Sequence, residues 1–303
     1  MNVVIKVNDE IKEKMIDYYK DKRRDKVIPY VVFQAQDEDT VITMYESGKV
    51  MFQGTSADVD AAMWGVALED TKENKAAKKK ENEKYYFCNS VGSDEVGTGD
   101  YFGPIVVTAC YVSKEDIPFL EELGTGDSKK IDDSKILKIA PKIAKRIKYR
   151  SVILYNEEYN EKYSRNVNIN KIKAIMHNRA LYQLIHEESP VYDFIIVDEF
   201  AREARYYEYL NDQNVVQKGI TFLTKAEDIS LAVACASIIS RYLFLKEFDK
   251  LSDSLHIPLP KGAGSDVDKM GEEIVEKYGK EKLKEIAKVN FKNTDRILHT
   301  MIY

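Results

Sequence analysis

In the first seventy residues the apolar positions follow two different periods in turn. Val3-Val4-Ile5-Lys6-Val7 is a short strand pattern. Asn8 or Asp9 then stands where it can cap a helix whose Ile11, Met15 and Tyr18 or Tyr19 recur at helical spacing. The runs YVVFQAQ (30–36), VITMYES (41–47) and KVMFQG (49–54) are strand-like. DEDT and the tight Ser47-Gly48 pair separate them, which predicts an antiparallel meander. SADVDAAMWGVAL (56–68) closes the unit as a helix, with Ser56 or Asp58 near its start.

TKENKAAKKKENEK (71–84) breaks the pattern: it is charge-rich and nearly free of β-branched and aromatic residues. It divides a small α+β unit (1–70) from the rest (85–303), either as a solvated helix or as a flexible linker. Beyond it, strands and helices mix. FCNSVGSDEV and GPIVVTACYV are two strands joined by a glycine-rich turn. SKILKIAPKIAKRIK (134–148) is helical, with Pro141 as an interruption or a second start. SVILYN (151–156), the nearly all-apolar FIIVDEF (194–200) and ITFLTKAE (220–227) are strands. NKIKAIMHNRALYQLIHEE (170–188) and ISLAVACASIISRYLFLKEFDKL (229–251) are long helices. LPKGAGS (259–265) precedes helical patterns at 266–278 and 280–288. The expected fold class is α/β (α+β), a mixed sheet flanked by helices.

Composition narrows the function classes only a little. The 303 residues carry a net charge of −5. This gives no global argument for nucleic-acid binding, although a local basic surface would suffice for it. No apolar run is long enough to span a membrane, and the N-terminus is charged too early for a secretory signal. Cys88, Cys110 and Cys235 are scattered and sit in apolar surroundings, the pattern of buried reduced thiols in a cytoplasmic protein. His177, His186, His256 and His299 show no metal-ligand spacing.

Four acids occupy costly positions. Asp94 and Glu95 end the first strand of the large unit, Asp198 ends the apolar run FIIVD, and Glu227 ends ITFLTKAE. A pair of carboxylates at about 4 Å repel by roughly 4 kcal/mol at an effective dielectric near 20. A fold keeps such a cluster most easily when cations neutralise it. Oxygen-only ligands select hard ions, Mg²⁺ or Mn²⁺, and two such ions are the machinery of phosphodiester hydrolysis. The alternative for each acid singly is a helix cap or strand flank, and Asp228 is placed to cap the helix that follows it. Strand neighbours face opposite sides, so Asp94 and Glu95 share a site only if the strand ends or bends there; Gly97 and Gly99 allow that bend. VGTGDYFGP has neither the spacing of an NTPase loop nor the following helix of a dinucleotide fingerprint. Its glycines offer close backbone approach to a polar ligand.

At these residues the chain resembles a known family. GSDEVGTGDYFGPIVV resembles the opening motif of type 2 ribonucleases H. TGDSKKI (125–131), IIVDEF (195–200), TKAE (224–227), ASIISR (236–241) and PKGAGS (260–265) follow in that family's order. Within the family the likeness is to bacterial ribonuclease HIII. VVFQAQ, ESGKVMFQG and AAMW resemble the TATA-binding-protein-like domain that precedes the nuclease domain there, and HNRAL (177–181) and FKNTD (291–295) are also similar.

The resemblance implies an RNase H-like fold and an endonuclease that cuts the RNA strand of RNA/DNA hybrid duplexes with two Mg²⁺ or Mn²⁺ ions, leaving 5′-phosphate and 3′-hydroxyl ends. It implies Asp94, Glu95, Asp198 and Glu227 as catalytic metal ligands. Gly97, Thr98 and Gly99 become candidate substrate contacts, joined by Ser128, Lys129 and Lys225 at phosphates. Ribonuclease HII has G-R-G where this chain has Gly97-Thr98-Gly99. That difference favours hybrids with longer RNA runs over single embedded ribonucleotides. The N-terminal domain would grip the hybrid through its exposed sheet residues and the cluster Lys20, Lys22, Arg23, Arg24 and Lys26. A cytoplasmic monomer with no obligate protein partner and no membrane association is expected. The alternatives are cleavage at single ribonucleotides in the manner of ribonuclease HII, or a hybrid-binding protein without catalysis.

Overall fold

A computed structural model describes residues 2–24, 28, 30–64, 82–126, 131–164 and 167–299. The chain divides into two compact units, Met1–Glu81 with Glu199–Arg205, and Asn82–Asp198 with Tyr206–Tyr303.

The small unit is a four-stranded antiparallel sheet in the order β1-β4-β3-β2, formed by β1 (Asn2–Lys6), β2 (Val31–Asp37), β3 (Thr40–Tyr45) and β4 (Lys49–Gly54). Alternation along these strands sends Phe33, Ala35, Ile42, Met44, Val50 and Phe52 to one face. The helices Asp9–Tyr18 and Ala57–Met63 close over them with Met15, Tyr19, Ala57 and Ala61. Asn8 is the cap of the first helix, its Oδ1 accepting from the Ile11 N–H at 2.9 Å. The end of the expected 56–68 helix and most of the charged linker lie outside the described residues.

The large unit is built on a five-stranded mixed sheet, β7-β6-β5-β8-β9. β5 (Ser90–Val96), β6 (Ile105–Val112) and β7 (Lys148–Leu154) are antiparallel neighbours. β8 (Phe194–Asp198) and β9 (Ile220–Leu223) run parallel to β5. The helix Leu231–Leu255 lies directly on β5. A Cβ on Gly92 would come within 2.5 Å of the Val233 nitrogen, so only glycine permits this approach. On the opposite face lies Ile169–Glu188, capped by Asn168. Asp132 caps Asp133–Arg146, which continues through Pro141 rather than breaking there. The C-terminal helices Ser265–Tyr278, Lys282–Ile286 and Lys292–Ile297 join the same apolar core.

Several elements differ from the sequence expectation. The 220–227 strand ends at Leu223. Lys225 adopts a left-handed conformation, and Ala226–Asp228 is a 3₁₀ turn. The cap position of the following helix is Ser230, not Asp228. The short helices Ile117–Leu123, Asn156–Lys162 and Glu203–Tyr209 have too few turns to show a clear period in sequence. All three cysteines are free and buried. Among the described residues no helix is long and apolar enough to cross a membrane.

Candidate active site

β5 and β8 run parallel, with Ser93 beside Val197 as the last pair. The next residues, Asp94 and Asp198, therefore emerge together at the carboxyl edge of the sheet. Asp198 Oδ1 accepts the Ala226 N–H at 2.8 Å, which anchors the 3₁₀ turn carrying Glu227 beside it. The sheet register and one turn thus bring acids more than a hundred residues apart into one neighbourhood.

Strand alternation places Asp94 and Glu95 on opposite faces. Asp94 turns to the Leu231–Leu255 helix, where Ser237 hydrogen-bonds its carboxylate and Ser240 Oγ donates to its main-chain oxygen at 3.1 Å. Glu95 turns to the Ile169–Glu188 helix. Lys173 Nζ lies 2.5 Å from Glu95 Oε1, and His177 Nε2 lies 2.8 Å from Oε2. The other ring nitrogen, Nδ1, is 2.8 Å from Ser93 Oγ. A carboxylate only accepts, so Nε2 donates to Glu95.

The carboxyls differ sharply in their electrostatic surroundings. Burial, then the charges of Glu95 and Asp198, push the Asp94 carboxyl well above the usual carboxylate range. Burial also raises Asp198 to about 6; the Ala226 N–H opposes this, and the charges of Glu227 and Glu95 add to it. Burial opposes ionisation of Glu95 too, but Lys173 and His177 outweigh it and hold this carboxyl low. Raised acids at one edge mean a site short of positive charge. An all-oxygen donor set in that condition fits a hard divalent cation. Among the described residues no three acid, histidine or cysteine side chains are grouped to hold an ion as they stand, Glu95 being turned to Lys173 and His177.

The glycine turn runs past this edge. β5 continues to Val96, and Gly97 has φ +97°, with Pro104 O only 2.2 Å from where a Cβ would stand. Gly97 is buried, Thr98 half-buried and Gly99 exposed. A cleft of about 420 Å³ lined by Glu95, Gly97, Thr98, Asp133, Ser237 and Arg241 opens beside them. Arg241 pairs with Asp133 at 2.8 Å, and Lys261 joins at 2.7 Å. The turn is held from behind by the fully buried Lys288. Its ammonium donates to Asp100 O at 2.7 Å and Gly103 O at 2.6 Å. Gly262 of the PKGAGS segment donates its N–H to Asp100 Oδ1 at 2.7 Å and accepts the Tyr101 N–H at 2.8 Å.

Asp94 is thus acted on by Glu95 and Asp198, and Asp198 by Glu95 and Glu227, while Gly97, Thr98 and Gly99 line or flank the adjoining cleft. Lys225 is exposed in the turn before Glu227. Ser128 and Lys129 lie outside the described residues. Sequence reasoning missed Lys173, His177 and Lys288 as parts of the site. Lys173 and His177 sit four residues apart, on one face of their helix, and that spacing was the available signal. Lys288 gives no local signal, because its partners are main-chain atoms far away in sequence.

The profile of the family described as Ribonuclease HII matches residues 91–294, and a domain of unknown function, DUF3378, matches residues 2–79. A ribonuclease HIII of Bacillus cereus is 40% identical over 310 residues, covering 99% of either chain. One of Bacillus mycoides is 41% identical over 304 residues, covering 97% of either chain. The crystal structure of Bst-RNase HIII in complex with Mn²⁺ is 37% identical, with a TM-score of 0.72 and 99% of each chain covered.

Proposed function

The chain belongs to the ribonuclease HIII family, and from that premise we propose that Asp94, Glu95, Asp198 and Glu227 form its catalytic centre. The protein is an endoribonuclease that hydrolyses the RNA strand of RNA/DNA hybrids, with Mg²⁺ or Mn²⁺ as cofactor. The observation that carries the residue assignment is the convergence at the end of β5 and β8, where Glu95 and Asp198 act on Asp94, and Glu227, on the turn anchored to Asp198, acts with Glu95 on Asp198.

When bound, a pair of such ions supplies an activated water and charge for the leaving oxygen, giving 5′-phosphate and 3′-hydroxyl ends. Asp94, Glu95, Asp198 and Glu227 would hold them. Ser237 and the Ala226 N–H fix the Asp94 and Asp198 carboxylates, and His177 fixes Glu95. The Gly97–Gly99 turn, braced by Lys288, presents main-chain groups to the RNA strand across the cleft. Thr98, standing where ribonuclease HII has arginine, directs the enzyme to hybrids with runs of RNA.

The small unit grips the hybrid with the face of its sheet opposite Phe33, Ile42 and Phe52. Register places Gln34, Thr43, Met51 and Val4 in one row across the four strands, and Gln36, Val41, Gln53 and Asn2 in another. These rows carry the side-chain amides of Gln34, Gln36, Gln53 and Asn2 and no charge, groups suited to reading duplex shape and ribose hydroxyls rather than sequence. In the basic cluster Arg24 is exposed. Lys20 pairs with Asp17 and Lys22 with Asp37, Arg23 lies over Phe33, and Lys26 is outside the described residues. The assignment is tested by Asp94→Asn on an end-labelled hybrid. Loss of cleavage with retained hybrid binding is expected; cleavage equal to wild type would overturn it.

A further inference from the structure

We propose that Lys173 is a built-in counter-cation: in the metal-free protein its ammonium holds Glu95 and faces Asp198, and it withdraws when a divalent ion binds. This rests on the proposed catalytic centre and concerns how that centre is kept intact before the ion arrives.

Three observations carry it. Lys173 is a nearly buried lysine, 12% exposed, with Nζ 2.5 Å from Glu95 Oε1; Glu95 itself is 15% exposed. A lysine is held so deeply only where an anion compensates it. Second, its charge acts on Asp198 as well as on Glu95, so the ammonium serves two carboxylates from neighbouring strands. A metal ion shared by those carboxylates would contend for the same lone pairs and repel the ammonium. Third, the remaining Glu95 oxygen belongs to His177, whose ring is fully buried and tied to Ser93.

The two partners of Glu95 therefore differ in what they can do. The imidazole is clamped between a hydroxyl and a carboxylate and stays. The ammonium ends a flexible four-carbon stem and can retract without moving the helix. His177 is a positioning residue that orients the Glu95 carboxylate. Lys173 stands in for the absent positive charge and competes with it.

The test is Mn²⁺ binding by calorimetry on ion-stripped protein, for the wild type, Lys173→Met, Lys173→Gln and His177→Ala. Both Lys173 variants are expected to bind Mn²⁺ about tenfold tighter, because a competing cation is gone. Their metal-free forms are expected to melt lower than the wild type and to gain more from Mn²⁺. His177→Ala is expected to bind Mn²⁺ about tenfold more weakly. A merely structural pair would shift both affinities the same way, and that result overturns the proposal. So does unchanged or weaker Mn²⁺ binding in the Lys173 variants; should the methionine variant not fold, the glutamine variant decides alone. Wild-type protein that binds no Mn²⁺ would instead overturn the catalytic-centre assignment itself.

Discussion

Lys288→Met removes a fully buried ammonium from beneath the glycine turn. Burial lowers this group from its usual 10.5 to about 7, only partly offset by the charge of Asp100. That fall corresponds to about 5 kcal/mol, at about 1.36 kcal/mol per pH unit. The sign follows from proton counting. Below about pH 7 both folded and unfolded chains hold the proton, and the folded state bears the whole penalty. Between about 7 and 10.5 only the unfolded chain holds it, so stability from this group rises with pH by about 1.36 kcal/mol per unit. Methionine abolishes that dependence and leaves Asp100 O without this donor, costing about 1–3 kcal/mol, whereas Gly103 O keeps the Asn156 Nδ2 donor. Urea denaturation of both proteins at several pH values between about 6 and 9 measures the difference. The wild type should gain about 2–3 kcal/mol over the variant between about pH 7 and 9. A difference that stays flat across that range would refute the role assigned to the buried ammonium.

Other outcomes follow from single contacts. Gly92→Ala should destabilise the large unit by about 1–3 kcal/mol in thermal melts, because its Cβ meets the Val233 nitrogen; an unchanged melt would show that the helix can back away freely. Thr98→Arg should raise cleavage of a duplex with a single ribonucleotide relative to an all-RNA hybrid, read as the ratio of kcat/KM values; an unchanged ratio would remove Thr98 from specificity. Deleting residues 1–80 should raise KM for the hybrid and steepen the loss of activity with salt, and an unchanged KM would contradict substrate binding by the small unit.

Much of this was legible in the chain because local chemistry was informative. Asp94 and Glu95 stood out as acids in an apolar strand, Asp198 as the end of a buried one, and Gly97 as a turn that needs positive φ. The rest depended on partners distant in sequence. The Asp94–Glu95 pair raised the question of how neighbours on a strand could share a site; β5 runs on to Val96, and the two carboxylates still act on each other just past the last β5–β8 pair. Glu95 faces the opposite helix, where Lys173 and His177 receive it. Pro141 looked like a breaker, yet the packing of Ile136, Ile139, Ala140 and Ile143 holds one helix through it. Glu227 reads as a strand end, but the strand stops at Leu223 and Glu227 lies in a 3₁₀ turn that follows the left-handed Lys225. Lys288 is invisible to any pattern, since a buried lysine is recognised only by the carbonyls it meets.

The most direct measurement is a divalent-ion titration of cleavage, run in parallel on an all-RNA/DNA hybrid and on a matched duplex with one ribonucleotide. No cleavage of either without ions, a saturable rise with Mg²⁺ or Mn²⁺, and clear preference for the hybrid are expected. Cleavage that persists after the ions are stripped, or equal cutting of the single-ribonucleotide duplex, would contradict the account.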